Sequence, residues 1–161
     1  MTKASNTYRP DDRNIKILPR VDYKTVLVII DKPEQINHNL FHQLFPHAEF
    51  SFLSNRTEKE DNSNGFNYTC HKKDFFFKKL KNDRLANLLN KSFDLLIDLN
   101  ETNTKLMYFT ENIEAGLKMG CFNQPYNFQF DMLVEPSSEI ANIIKTMVKQ
   151  IDVLTQTLNK N

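Results

Sequence analysis

The sequence predicts a three-layer α/β/α, Rossmann-like domain with a mostly parallel five- or six-stranded sheet. Three observations carry this. The run Ser92-Phe93-Asp94-Leu95-Leu96-Ile97-Asp98-Leu99-Asn100 is short, apolar and closed by an acid and an amide. A strand buried on both faces reads this way, with polar groups delivered at its carboxyl end. The β-branched run Thr25-Val26-Leu27-Val28-Ile29-Ile30 has the same character. Segments of helical spacing separate and follow such runs, and that alternation implies crossover units and a parallel sheet.

The elements follow in order. Residues 1–22 form a polar arm with Pro10 and Pro19, expected to be flexible or partly laid along the domain; residues 23–161 form the single α/β domain. Asp31 ends the first strand, and Pro33 suits the first turn of a helix through about Phe45 with Ile36, Leu40, Phe41 and Leu44 inward. Pro46 stops it. Glu49 to Leu53 is a second strand, Ser54 to Gly65 a solvated loop, and Phe66 to His71 a third strand. Leu80 to Asn90 is a helix with Leu85, Leu88 and Leu89 inward, and it leads into the central strand. Thr102 to Ile113 is a helix with Leu106, Met107, Phe109 and Ile113 on one side. Ala115 to Met119 is a strand closed by Gly120, and Phe128 to Val134 is the last strand. The segment joining these two is too short for a usual parallel crossover, so one of them is expected to run antiparallel at an edge, or the two not to be neighbours. Ser137 suits the N-cap of a final helix whose stripe is Ile140, Ile143, Ile144, Met147, Val148, Ile151 and Leu154.

Size and charge bound the function. A chain of 161 residues can bury roughly 70% of its unfolded surface, so its core needs no disulfide or metal. The net charge of +1 argues against a general field for nucleic acid or anionic membrane, while leaving a local phosphate patch open. Cys70 and Cys121 are far apart and no secretory h-region precedes them, so a disulfide is not expected and the cytoplasm is the expected compartment. No apolar run approaches the roughly 20 residues of a membrane span.

Candidate chemistry sits at strand ends. In open α/β sheets ligands settle outside the carboxyl ends of strands, where the strand order reverses. Asp31, Asp98 and Asn100 fall at such ends and form the candidate ligand crevice. They could hold Mg²⁺ or do acid–base work, although Asp after a strand more commonly caps the next helix. Specific enzyme signatures are missing. Asp31-Lys32-Pro33-Glu34 lacks the glycines of a phosphate loop. Pro33 stands where a haloacid-dehalogenase-like phosphatase needs a second Asp. Lys32 and Glu135 stand where a response-regulator receiver needs an acid and a lysine. No catalytic residues, no cofactor and no metal are assigned. His38 and His42 are one helical turn apart, but opposite the apolar stripe and without a third ligand. Lys72, Lys73, Phe75, Phe76, Phe77 and Lys78 form a candidate interaction surface. Basic groups flanking aromatics can bind RNA by charge and stacking, or plug a sheet while the lysines stay wet. The plug is the commoner case; where one or two of the phenylalanines are exposed, a protein partner is a better expectation than RNA, since charge is nearly balanced.

The order Lys73-Asp74, Phe93-Asp94-Leu95-Leu96-Ile97-Asp98, Ala115-Gly116-Leu117-Lys118-Met119-Gly120 and Phe130-Asp131-Met132-Leu133-Val134 resembles a family of small uncharacterised proteins of the Bacteroidota. The resemblance covers about residues 24–154. It departs at Leu117 and Met119, where Phe and Val are usual, and at Phe75 to Phe77. No activity is established for that family, so it implies no catalytic residues. The same pieces are faintly similar to the amino-terminal half of heptosyltransferase-type glycosyltransferases, whose nucleotide-sugar binding relies on a second domain. That likeness implies the fold and speaks against independent transferase activity. The expected function is thus a non-catalytic cytoplasmic binding or interaction domain with a protein partner. The alternatives are a small enzyme binding a nucleotide or sugar phosphate, and an RNA- or ribosome-associated protein.

Overall fold

The computed structural model describes residues 13–55, 67–76 and 79–159. Six strands form one sheet: β1 (Thr25–Ile30), β2 (Glu49–Asn55), β3 (Tyr68–Cys70), β6 (Ser92–Asp98), β7 (Glu114–Cys121) and β8 (Met132–Val134). Their order is β3-β2-β1-β6-β7-β8, and every neighbouring pair is parallel. Val26 lies opposite Leu95, so the two most apolar runs are side by side at the centre. The start of that pairing is pinned by Asp94, whose carboxylate accepts the Lys24 N–H at 2.8 Å while its own N–H donates to the Thr25 hydroxyl at 3.0 Å.

Alternate side chains feed two cores. Val26, Val28, Leu95, Ile97 and Leu117 face α1 (His38–Leu44) and α4 (Ile140–Asn159). Leu27, Ile29 and Leu96 face α2 (Asp83–Leu89) and α3 (Thr104–Asn112). This is the period-two pattern of a sheet covered on both faces. Phe41, Phe45, Ile143, Ile144, Met147, Val148 and Ile151 are the buried members of the helical stripes on the first face.

Beyond shifted element ends, chief among them the last strand, which starts at Met132 rather than Phe128, the structure differs from the sequence reading in four places. The helix after β1 is shorter, a 3-10 turn at Pro33–Gln35 followed by α1, because Asn37 caps a new start by accepting the Leu40 N–H. A small antiparallel hairpin, β4 (Phe75–Phe76) and β5 (Lys79–Leu80), precedes α2. Gly120 does not close β7, which runs on through Cys121. Finally, β7 and β8 are neighbours and parallel, with Met119 opposite Met132 and Cys121 opposite Val134. That register explains how residues 122–131 suffice as a crossover. The chain leaves level with Val134 and re-enters level with Met119, so it descends only about 7 Å, two residues of strand. A 3-10 turn at Asn127–Gln129 replaces a crossover helix.

Of the amino-terminal arm, residues 13–22 lie along the domain. The Lys16 N–H donates to the Gly116 carbonyl at 2.8 Å. Arg13 forms an ion pair with the buried Asp131 and donates to the Ala115 carbonyl. Arg20 donates to the Leu44 carbonyl at 3.0 Å and pairs with Asp152 at 3.3 Å. No helix among the described residues is long and apolar enough to cross a membrane.

Candidate functional site

The strand order reverses between β1 and β6, and a cleft of about 400 Å³ opens there at the carboxyl ends. It is lined by Asp31 after β1, Lys32, Asn55 at the end of β2, and Thr102 to Lys105 at the start of α3. One oxygen of Asp31 accepts from both the N–H and the hydroxyl of Thr102, each at 3.2 Å. Its other oxygen is buried and has no hydrogen-bond partner among the described residues. Lys32 reaches across to Glu101 at 3.2 Å, a surface pair worth little by itself.

Of the candidate crevice, Asp31 alone lines this cleft. Asp98 and Asn100 are both 0% exposed and share a separate network behind the wall. Asp98 sits on the α3 side of β6 and accepts four hydrogen bonds. Its donors are the Thr110 hydroxyl, the Asn100 N–H at 2.8 Å, the Gln124 amide at 3.0 Å and the Tyr126 hydroxyl at 3.0 Å. Burial raises the Asp98 carboxyl to about 6, against the opposing pull of those four bonds on the charged form. The same burial, together with the adjacent Asp98 carboxylate, drives the Tyr126 phenol upward, which keeps it a donor.

Asn100 uses its side chain to hold the next turn. Its carbonyl accepts the Asn103 N–H at 3.0 Å, and its NH₂ donates to the Asn103 carbonyl at 2.9 Å and to the Tyr126 hydroxyl at 3.0 Å. Asn103 then caps α3 by accepting from the Lys105 and Leu106 N–H groups at 3.0 and 3.1 Å.

Lys118 lies in the middle of β7, buried on the same side of the sheet. Its ammonium donates to the Thr110 carbonyl at 2.6 Å, so Thr110 touches both buried charges. Burial first, and the Arg13 charge second, lower Lys118 to about 8. The sign follows: the folded protein holds this proton less tightly than the unfolded chain. Stability is therefore expected to rise by roughly 3 kcal/mol between pH ~8 and ~10.5, as the penalty of burying the ammonium disappears. The rise is read as the difference in denaturation midpoint between the wild type and Lys118→Met, which should lack it.

The candidate interaction surface divides. Lys72 and Lys73 are exposed in a 3-10 turn whose Asp74 carboxylate accepts the His71 N–H at 2.7 Å. Phe75 turns inward, its ring edge-on to Tyr108 at 5.5 Å and near Phe109 at 6.2 Å. The Phe76 backbone pairs with Lys79; its side chain, with Phe77 and Lys78, lies outside the described residues. His38 and His42 pack edge-on against Phe52 and Phe50, with centroids 4.4 and 4.9 Å apart. Among the described residues no group of three His, Cys, Asp or Glu side chains is placed to hold a metal. Cys70 and Cys121 are free and buried.

The sequence reading missed Thr102 to Lys105, Asn55, Thr110, Lys118, Gln124 and Tyr126. Two signals were present. The pair Asn100 and Asn103, three apart before an apolar helix, has the spacing of a turn and N-cap. Lys118 between Leu117 and Met119 breaks the apolar run of a buried strand, which marks a buried charge. No curated protein and no solved structure matches the chain. Residues 6–154 fit the model of a family of unknown function, DUF6913, and the chain belongs to that family.

Proposed function

We propose that this protein is a non-catalytic binding domain whose cleft at the ends of β1, β2 and β6 takes a small polar molecule. The observation that carries this is the position of the cleft. It opens where the strand order reverses, the place at which open α/β sheets present loops from both directions to a ligand. Its lining is polar side chains from three different elements, a convergence that suits orientation of a small molecule. The non-catalytic part is supported by the seclusion of Asp98. This carboxyl, with its raised proton affinity, is sealed from the cleft and committed to four donors, so it has no reach to a substrate. The two arginines described in the amino-terminal arm favour this reading over RNA binding, since Arg13 and Arg20 are engaged with Asp131 and Asp152. A cytoplasmic setting and a protein partner remain parts of the proposal, carried by composition alone.

The test is a titration of ¹⁵N-labelled protein with nucleoside monophosphates, hexose phosphates and free amino acids. A binder should move the amides of Lys32, Asn55 and Thr102 to Lys105, and Lys105→Glu should weaken it about tenfold, some 1.4 kcal/mol. Shifts confined to another surface, or turnover of a nucleotide or sugar phosphate that disappears in Asp98→Ala, would overturn the reading.

A further inference from the structure

We propose that the β7–β8 crossover is a lever on the cleft: Tyr126 and Gln124, acting through Asn100, position the turn at residues 100–103 that forms the cleft wall, so displacement of the crossover reshapes the cleft. The functional meaning of this coupling rests on the cleft being the binding site proposed above; the coupling itself does not.

The argument runs from the cleft outward. Asn103, Thr104 and Lys105 line the cleft, and none of them touches the crossover in any hydrogen bond given by the structure. Their placement depends on Asn100, which grips Asn103 by both its carbonyl and its NH₂. Asn100 in turn is held from the crossover. The Tyr126 hydroxyl accepts its side-chain NH₂ at 3.0 Å, and the Gln124 amide donates to its backbone carbonyl at 2.7 Å. Gln124 is tied to the end of β7 through the Cys121 N–H, which donates to its side-chain oxygen. These groups are buried, where each bond is strengthened by low local dielectric and the loss of one partner is felt by the next.

The outer side of the same crossover is in water. Phe122 and Phe128 are 51% and 59% exposed, although both are large and apolar. One short segment therefore has an exposed face and an inner face that fixes the cleft wall. The bonds from Tyr126 and Gln124 to Asn100 carry a change in the crossover's position to the turn, and by reciprocity a change at the turn back to the crossover.

Hydrogen exchange of the unliganded full-length protein tests this. Tyr126→Phe removes one hydroxyl and keeps the ring. Exchange at the Asn103, Lys105 and Leu106 amides is expected to accelerate about tenfold relative to Val28 in β1, whose exchange reports global opening. Two results overturn the proposal. In one, these amides keep their rates relative to Val28 while Gln129 and Phe130 in the crossover speed up. In the other, all amides accelerate by the same factor as Val28, which is a loss of global stability alone. Should Tyr126→Phe fail to fold, Gln124→Met removes the second link and is read at the same amides with the same outcomes. Because no ligand is present, a negative result leaves the cleft reading intact. Conversely, a failed ligand titration leaves the exchange result standing.

Discussion

Asp98→Ala is expected to lower the stability of this protein by about 3–5 kcal/mol, seen as a fall in the urea midpoint and a drop in Tm of roughly 10 °C. The magnitude comes from what the substitution leaves behind. Thr110, Gln124, Tyr126 and the Asn100 N–H all aim at one fully buried carboxylate. Each donor stripped of its acceptor costs about 1–3 kcal/mol, reduced where water enters the vacated space. Asp98→Asn is expected to cost less than Ala. It keeps one acceptor and removes a buried charge, but it turns an NH₂ toward groups that are themselves donors. A loss of less than about 1 kcal/mol for Asp98→Ala would show that the network does not hold the crossover to the sheet.

The pH dependence separates charge from hydrogen bonding at this site. In the fold the carboxyl is raised from 3.8 to about 6. The native state therefore binds the proton more tightly than the unfolded chain. For an acid shifted upward, the stabilisation is fully present below the unfolded value and is lost as pH rises through the folded one. Stability should fall by about 3 kcal/mol between pH ~4 and ~6, opposite to the usual behaviour of a salt-bridged carboxylate. Asp98→Asn should lack that fall. The comparison isolates Asp98, because Arg13, Asp131 and the surface carboxylates are the same in both proteins.

The sheet and its helices were legible because each rests on a repeating pattern. Val26 to Ile30 and Leu95 to Ile97 are apolar on both faces, so burial alone specifies a central parallel pair. The stripe from Ile140 to Ile151 has helical spacing, and the helix is there. What could not be read was decided by non-local contact. A parallel β8 depends on the offset of Met119 against Met132, and nothing near the crossover encodes that offset. The acids at the strand ends were correctly placed on the strands, but their surroundings were not. Asp31 and Asp98 have similar sequence neighbourhoods. One borders a cleft and the other is enclosed by Tyr126 and Gln124, residues far along the chain. The His38 and His42 rings are turned against Phe52 and Phe50 because β2 passes beside α1, and a helical wheel carries no record of β2.

Gly120→Ala is the second large effect. A glycine inside a strand reads either as an end or as a place where something lies against the backbone, and here it is the latter. A Cβ at this position would fall 2.3, 2.5 and 2.6 Å from three carbons of the Phe130 ring. Even a shift of a few tenths of an ångström would leave overlap, so the ring must move. Phe130 is buried, and its ring is 5.8 Å from that of Tyr126, so the displacement is transmitted toward the hydroxyl that serves Asp98 and Asn100. The expected loss is about 1–3 kcal/mol from overpacking, with the weakened Tyr126 bonds adding to it. A double-mutant cycle with Phe130→Leu distinguishes this steric cause from a general effect on the strand. The smaller side chain removes the atoms that the methyl meets, so the pair should cost at least about 0.5 kcal/mol less than the sum of the singles. Strict additivity would mean that the methyl is accommodated without moving Phe130, and that the ring does not transmit strain from β7 to the crossover.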